Sequence, residues 1–184
     1  MSNRFMKVLP FLTVVLIVLL DQLTKYWAVS SLFAIGEIEI IPDVFYLTFA
    51  TNNGAAWNLF AGQRVILLLV TVAALLLIFL ILRRGWVNTK IGRWGVYFIL
   101  GGAIGNFLDR AFRPGGLVVD MFDFRAINFP IFNVADIFVT VGGVMFGIFV
   151  LQTAIRDHRQ NKSGGEDEDL SLIHILVQFK RGER

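Results

Sequence analysis

The sequence predicts an α-helical polytopic membrane protein of four spans with a small extracytoplasmic β-rich lobe. Three observations carry that reading. Of the 184 residues, 56% are hydrophobic and only 17% charged, where soluble domains carry about 25% charged residues. Apolar runs long enough to cross a bilayer recur at about 8–29, 65–82, 94–110 and 133–155, each near the length that a rise of about 1.5 Å per residue requires. Between the first two runs, over about 35–62, breakers and β-forming residues replace the helical pattern.

The first run follows Arg4 and Lys7, extends from Val8 to Leu20 and then meets Asp21. A cleaved secretory peptide would present small residues after its apolar core. Here Asp21-Gln22-Leu23-Thr24-Lys25-Tyr26-Trp27 continues the helical register to about Val29, so the segment is expected to be a retained span. Asp21 and Lys25 are spaced i, i+4 and can pair on one face, which lowers the cost of charge near a membrane. Beyond Ser30 come Gly36, Pro42, Asn52, Asn53, Gly54 and Gly62. The alternation of Glu37-Ile38-Glu39-Ile40-Ile41 and the run Val44-Phe45-Tyr46-Leu47-Thr48-Phe49 predict short strands.

Val65 to Leu82 carries no charge and is the clearest helix in the chain. A basic loop with Arg83, Arg84, Lys90 and Arg93 leads to the third run, in which Gly101 and Gly105 offer a close-packing face to a neighbouring helix. From Ala111 to Pro130 the chain turns at Pro114-Gly115-Gly116 and continues as an amphipathic or extended, Phe-rich piece. The fourth run has Asp136 in its first turn. Basic residues cluster at one set of run ends (Arg4, Lys7, Arg83, Arg84, Lys90, Arg93, Arg156, Arg159, Lys162) more than at the other. This asymmetry predicts cytoplasmic termini and an outward lobe, with Asp21, Asp120 and Asp136 near the outer leaflet.

Residues 1–162 are thus expected to form a single integral membrane domain, and 163–184 a polar tail without regular structure. Leu170-Ser171-Leu172-Ile173-His174-Ile175 matches the translation of a common transposase adapter used in sequencing libraries. Residues 170–184 are therefore read as translated read-through, against the alternative of an amphipathic cytoplasmic tail. With no cysteine and with His158 and His174 both in the polar C-terminal part, a thiolate metal site, a cysteine nucleophile and a Ser-His-Asp centre within the membrane body are all excluded. No metal or cofactor is expected. The net charge of +3 is too small to imply nucleic acid.

Carboxylates in apolar surroundings need a reason. Asp120 lies in Val118-Val119-Asp120-Met121-Phe122 and Asp136 ends Phe132-Asn133-Val134-Ala135-Asp136. Two such groups brought together can share a proton and activate water. Each also has a plainer reading, Asp136 as a charge favoured at a helix N-terminus and Asp120 as a loop polar residue. An ion or proton path is the competing class, yet such a path would string acids through the membrane depth, and these gather at one face. A structural assembly factor, the third class, would not need both Asp120 and Asp136 in apolar flanks.

Five blocks decide between them: Asp21-Gln22-x-x-Lys25, Asn53-Gly54-Ala55-Ala56-Trp57, Gly101-Gly102-x-x-Gly105-Asn106-x-x-Asp109-Arg110, Val118-Val119-Asp120 and Phe132-Asn133-Val134-Ala135-Asp136. In this order and spacing they resemble the lipoprotein signal peptidases, the type II signal peptidase family, from about Asp21 to Thr140. The resemblance implies a metal-free aspartic endopeptidase of the bacterial cytoplasmic membrane. It would act as a monomer among membrane lipids and remove the signal peptide of a diacylglyceryl-modified prolipoprotein just before the lipidated cysteine. It further implies Asp120 and Asp136 as the catalytic dyad, with Asp123 outside the motif. Asp21, Lys25, Asn53, Gly54, Gly105, Asn106, Asp109, Arg110, Asn133 and Ala135 would bind substrate or support the site. For several of these the plainer reading stands beside it: Asn53-Gly54 as a turn, Asp109-Arg110 as an interfacial anchor, Asp21 and Lys25 as a structural ion pair. Trp57, Phe60 and the Phe-rich loop suit either an acyl-chain wall or interfacial anchors.

Overall fold

A computed structural model describes the backbone of residues 5–181 and the side chains of residues 8–159. Helix α1 (Phe5–Trp27) runs on through a π-helical turn (Ala28–Leu32) into the short α2 (Phe33–Ile35), which ends at Gly36 with φ 86°. The left-handed region is open to glycine without steric cost, so the chain turns there into the lobe. Strands β1 (Glu37–Ile41), β2 (Phe45–Asn52) and β3 (Val118–Asp123) form one antiparallel sheet in the order β1-β2-β3. Helices α3 (Arg64–Arg84), α4 (Lys90–Phe112) and α5 (Val134–Arg181) complete the fold.

Among the described residues, three helical segments are long and apolar enough to cross a membrane: Val8–Ile35, Arg64–Arg84 and Val134–Arg159. Helix α4, expected as a fourth span at 94–110, is less apolar because Lys90, Arg93, Asp109 and Arg110 sit near its ends. The first segment outruns its expected limit near Val29, since the π-turn passes through Ser30 and Ser31 without breaking the helix. Helix α5 likewise continues past 155, where the span was expected to end, and past 163, where an irregular tail was expected. No proline follows Pro130 to stop it.

Glycines set the helix spacing at two places. A Cβ on Gly101 would meet Ile17 Cβ at 2.9 Å and one on Gly105 would meet Asp21 Oδ2 at 2.5 Å, so this face of α4 packs directly on α1. A Cβ on Gly95 would meet the Gly142 carbonyl at 2.8 Å, which brings α4 and α5 into backbone contact. The piece expected to be amphipathic or extended is β3, and it is buried on both faces. Val119 and Met121 pack on Ala28 and Leu32 of the π-turn, while Val118 and Asp120 face a cavity. Period-two alternation delivers that division. β3 thus places Asp120 over the N-terminus of α5.

Candidate active site

The α5 N-terminus organises the site. Asn133 caps it, its Oδ1 accepting from Asp136 N at 3.0 Å, and Asp136 Oδ2 accepts from Asn133 N at 3.2 Å in return. This is a capping-box arrangement made with Asn and Asp. The next free amide, Ala135 N, donates to Asp21 Oδ1 of α1 at 2.9 Å. Asp136 therefore is a cap residue, as the plainer reading had it, and its carboxylate is also held within a larger network.

That network joins both aspartates through two amides. Asn133, fully buried, donates from Nδ2 to Asp120 Oδ1 at 2.6 Å and to Asn106 Oδ1 at 3.1 Å. Asn106 donates from Nδ2 to Asp136 Oδ1 at 2.7 Å. Behind Asn106 lies Lys25, whose Nζ reaches Asn106 Oδ1 at 2.9 Å, Asp21 Oδ2 at 2.9 Å and Asp109 Oδ2 at 3.0 Å. Asp109 also accepts from Arg113 Nε at 2.7 Å and from Val119 N at 3.2 Å, fixing the start of β3 against α4. Among the described residues no buried side-chain nitrogen or oxygen lacks a partner, which is the condition for polar groups to be tolerated in an apolar interior.

Asp120 is 3% exposed. Burial, reinforced by the negative charge of Asp136, pushes its pKa up to about 7, and the Asn133 hydrogen bond and the Lys25 charge only partly oppose this. The two carboxyls line one cavity of about 440 Å³, together with Asn52, Arg110, Trp57, Phe129, Phe132 and the α5 residues Ile137, Val139, Thr140 and Val141. A second opening of about 560 Å³ on the lobe side also reaches Asp120, past Thr51, Asn53 and Asn58.

The remaining expected residues divide. Arg110 lines the cavity and donates from Nη2 to the Gly54 carbonyl at 2.8 Å, so it ties the loop after β2 to α4. A Cβ on Gly54 would meet Leu59 O at 2.8 Å, and its amide donates to Asn52 Oδ1 at 2.8 Å. The Asn-Gly sequence is thus a turn, with its side chains split. Asn52 borders both cavities, and the exposed Asn53 only the outer one. Phe60 is exposed and outside the lining of either cavity, whereas Trp57 borders both. Asp123, outside the motif, bonds to Thr48 and Arg125 on the lobe.

The sequence pairs Lys25 with Asp21 but does not show Asp109 as its second carboxylate, and it assigns no individual site role to Gln22, Asn52 or Arg113. Gln22 Nε2 donates to Asp21, to the Gly105 carbonyl and to Asp109. The i, i+4 spacing of Asp109 and Arg113 was a usable signal.

Apolar helices with two carboxyls on a common cavity, Asp120 buried and Asp136 half-buried, fit the class of a membrane enzyme. Residues 13–152 match the family model described as Signal peptidase (SPase) II, and the chain belongs to that family. It is 38% identical over 160 residues to the lipoprotein signal peptidase of Trichormus variabilis, covering 86% of this chain and 99% of that one. With the lipoprotein signal peptidase of Clostridioides difficile it shares 40% over 147 residues, covering 78% and 95%. A bacterial membrane enzyme solved by the in meso method at 2.3 Å resolution superposes with a TM-score of 0.72 at 31% identity, over 79% of this chain and 88% of the other.

Proposed function

We propose that the protein is a lipoprotein signal peptidase acting as a membrane aspartic endopeptidase. It removes the signal peptide of a diacylglyceryl-modified prolipoprotein by cutting before the lipidated cysteine. The observation that carries this reading is the joint lining of one apolar cavity by Asp120 and Asp136, with Asn133 donating to both. Asp120, with its pKa near 7, is the member that holds the dyad's proton. Asp136 removes a proton from water as the water attacks the scissile carbonyl, while Asp120 donates to the carbonyl oxygen. Arg110 and the Gly54–Trp57 loop hold the peptide main chain, and the wall of Phe129, Phe132 and α5 side chains takes acyl chains. In this reading α4 crosses the membrane as a fourth span through its packing on α1 and α5, both termini are cytoplasmic, and the dyad lies near the outer leaflet. The protein acts as a monomer in the bacterial cytoplasmic membrane.

The test is cleavage of a diacylglyceryl-modified prolipoprotein peptide in detergent, with chelator present. Asp120→Asn and Asp136→Asn are expected to lose several orders of magnitude in rate, and Asp123→Asn to cleave nearly as the unmodified protein does. Cleavage by both dyad variants, or none by the unmodified protein, defeats the proposal and favours an ion path.

A further inference from the structure

We propose that Lys25 is a positioning residue: its ammonium group fixes the Asn106 amide so that the Asn106 NH2 is aimed at Asp136. The consequence for rate rests on the peptidase reading above; the geometry does not. Lys25 is wholly buried on α1. An ammonium group has three N–H donors and no acceptor, and each donor here has one partner, Asp21 Oδ2, Asp109 Oδ2 and Asn106 Oδ1, at 2.9, 3.0 and 2.9 Å. The two carboxylates already more than balance its charge. The third contact goes to a neutral amide.

That third contact dictates which way the amide points. Because Lys25 cannot accept, the Asn106 atom facing it must be oxygen, and the NH2 must face the other way, where Asp136 Oδ1 lies at 2.7 Å. Asn133 Nδ2 reaches the same Asn106 oxygen at 3.1 Å, but it also serves Asp120 Oδ1 at 2.6 Å and the Val119 carbonyl at 3.4 Å, so it is the weaker lock. The close approach of Asp21 to Gly105, next to Asn106, holds the ion pair against the α4 backbone. A neutral residue in place of Lys25 therefore leaves Asn106 freer to turn its oxygen toward Asp136, where two acceptors would face each other.

The charged groups around Lys25 are Asp21 on its own helix and Asp109 with its partner Arg113 on α4. Beyond Asn106 lie Arg110 on α4, Asp120 on β3 and Asp136 on α5. The Lys25 charge lowers the Asp120 pKa against the effect of burial. Removing it moves the Asp120 titration to higher pH.

Lys25→Met alone would strand two buried carboxylates, so the variant to build is Lys25→Met with Asp21→Asn, which removes one charge of each sign. Thermal unfolding checks the fold, kinetics with the lipid-modified peptide separate kcat from KM, and isotope-edited infrared spectroscopy follows the Asp120 carboxyl. The expected result is a folded protein with KM within about threefold, kcat reduced about 100-fold and the Asp120 titration moved to higher pH. A folded double variant with kcat within a few-fold and an unmoved titration overturns the proposal. If the double variant does not fold, Asn106→Ala decides, because it removes the aimed amide and keeps Lys25 between Asp21 and Asp109. A large fall in kcat at similar KM supports the proposal, and near-normal kcat overturns it. Should the unmodified protein cleave nothing, the peptidase reading fails, and the infrared titration still tests Lys25.

Discussion

Asp120→Asn is expected to make the protein inactive and, at alkaline pH, more stable. The folded-state pKa of Asp120 is about 7 against an ordinary 3.8. A carboxyl whose pKa is raised on folding favours the folded state most below its unfolded pKa, and that contribution is lost as pH rises through the folded value. Stability therefore falls between about pH 4 and 7, and above that window the buried carboxylate carries its full cost. At about 1.4 kcal/mol per pKa unit, a shift of this size corresponds to at most about 4 kcal/mol. Asparagine has nearly the same shape, carries no charge, and can still accept the Asn133 hydrogen bond through its oxygen. The assay is thermal unfolding in detergent at pH 4, 6 and 8, followed by the fluorescence of the four tryptophans. The variant should melt several degrees above the unmodified protein at pH 8 and close to it at pH 4. A variant that is no more stable at pH 8, or a gap that does not widen with pH, would refute the claim that Asp120 pays for its position in burial and repulsion from Asp136.

The same titration predicts that kcat/KM for the lipid-modified peptide declines above about pH 7, as Asp120 loses the proton it donates; a flat profile to pH 9 would contradict its role as the acid. Gly105→Ala should cost about 1–3 kcal/mol and most of the activity, because its Cβ would lie 2.5 Å from Asp21 Oδ2, which Lys25 holds while Ala135 N holds Oδ1 of the same carboxyl. Gly143→Ala on α5, with nothing within 4 Å, should leave activity unchanged and stability equal or up to about 1 kcal/mol higher, as a melting comparison of the two alanine variants will show. Truncation after Lys162 should leave cleavage intact; loss of cleavage would show that the tail 163–184 is functional and would count against read-through.

Local pattern made the outline legible. The charge-free run at 65–82 corresponds to α3, and the alternation at Glu37–Ile41 to β1, because a helix or an edge strand written in one continuous segment carries its own period. β3 was harder to name, since Val118–Asp123 is buried on both faces and apolar residues fill both phases of the alternation. Asp120 and Asp136 stood out because they are charges in apolar flanks. What joins them was hidden. Lys25 reaches Asp109 across 84 positions and Asn133 reaches Asn106 across 27, and no periodicity along one segment reports a contact made by two. Asn53 shows the limit of a dipeptide signal. Asn-Gly correctly marks a turn, but the turn geometry, with Asn52 Oδ1 bound to Gly54 N, determines which of two adjacent asparagines borders the inner cavity.

Charge balance gives an independent reason for a single proton on the Asp120–Asp136 pair. The ionisable groups around Asn106 and Asn133 are four carboxyls, Asp21, Asp109, Asp120 and Asp136, and three cations, Lys25, Arg110 and Arg113. Were every carboxyl ionised, the cluster would carry one uncompensated negative charge in surroundings where isolated charge costs several kcal/mol. One bound proton makes it neutral. Asp21 and Asp109 are each in direct contact with Lys25. Asp120 has an amide donor from Asn133 but no cation in direct contact, and it is the carboxyl whose pKa rises to about 7. The Lys25 ion pairs beneath Asp120 thus oppose the rise of its pKa as well as hold the helices together. Removing Arg113, a cation of this cluster that does not line the cavity, should for the same reason move the Asp120 titration to higher pH.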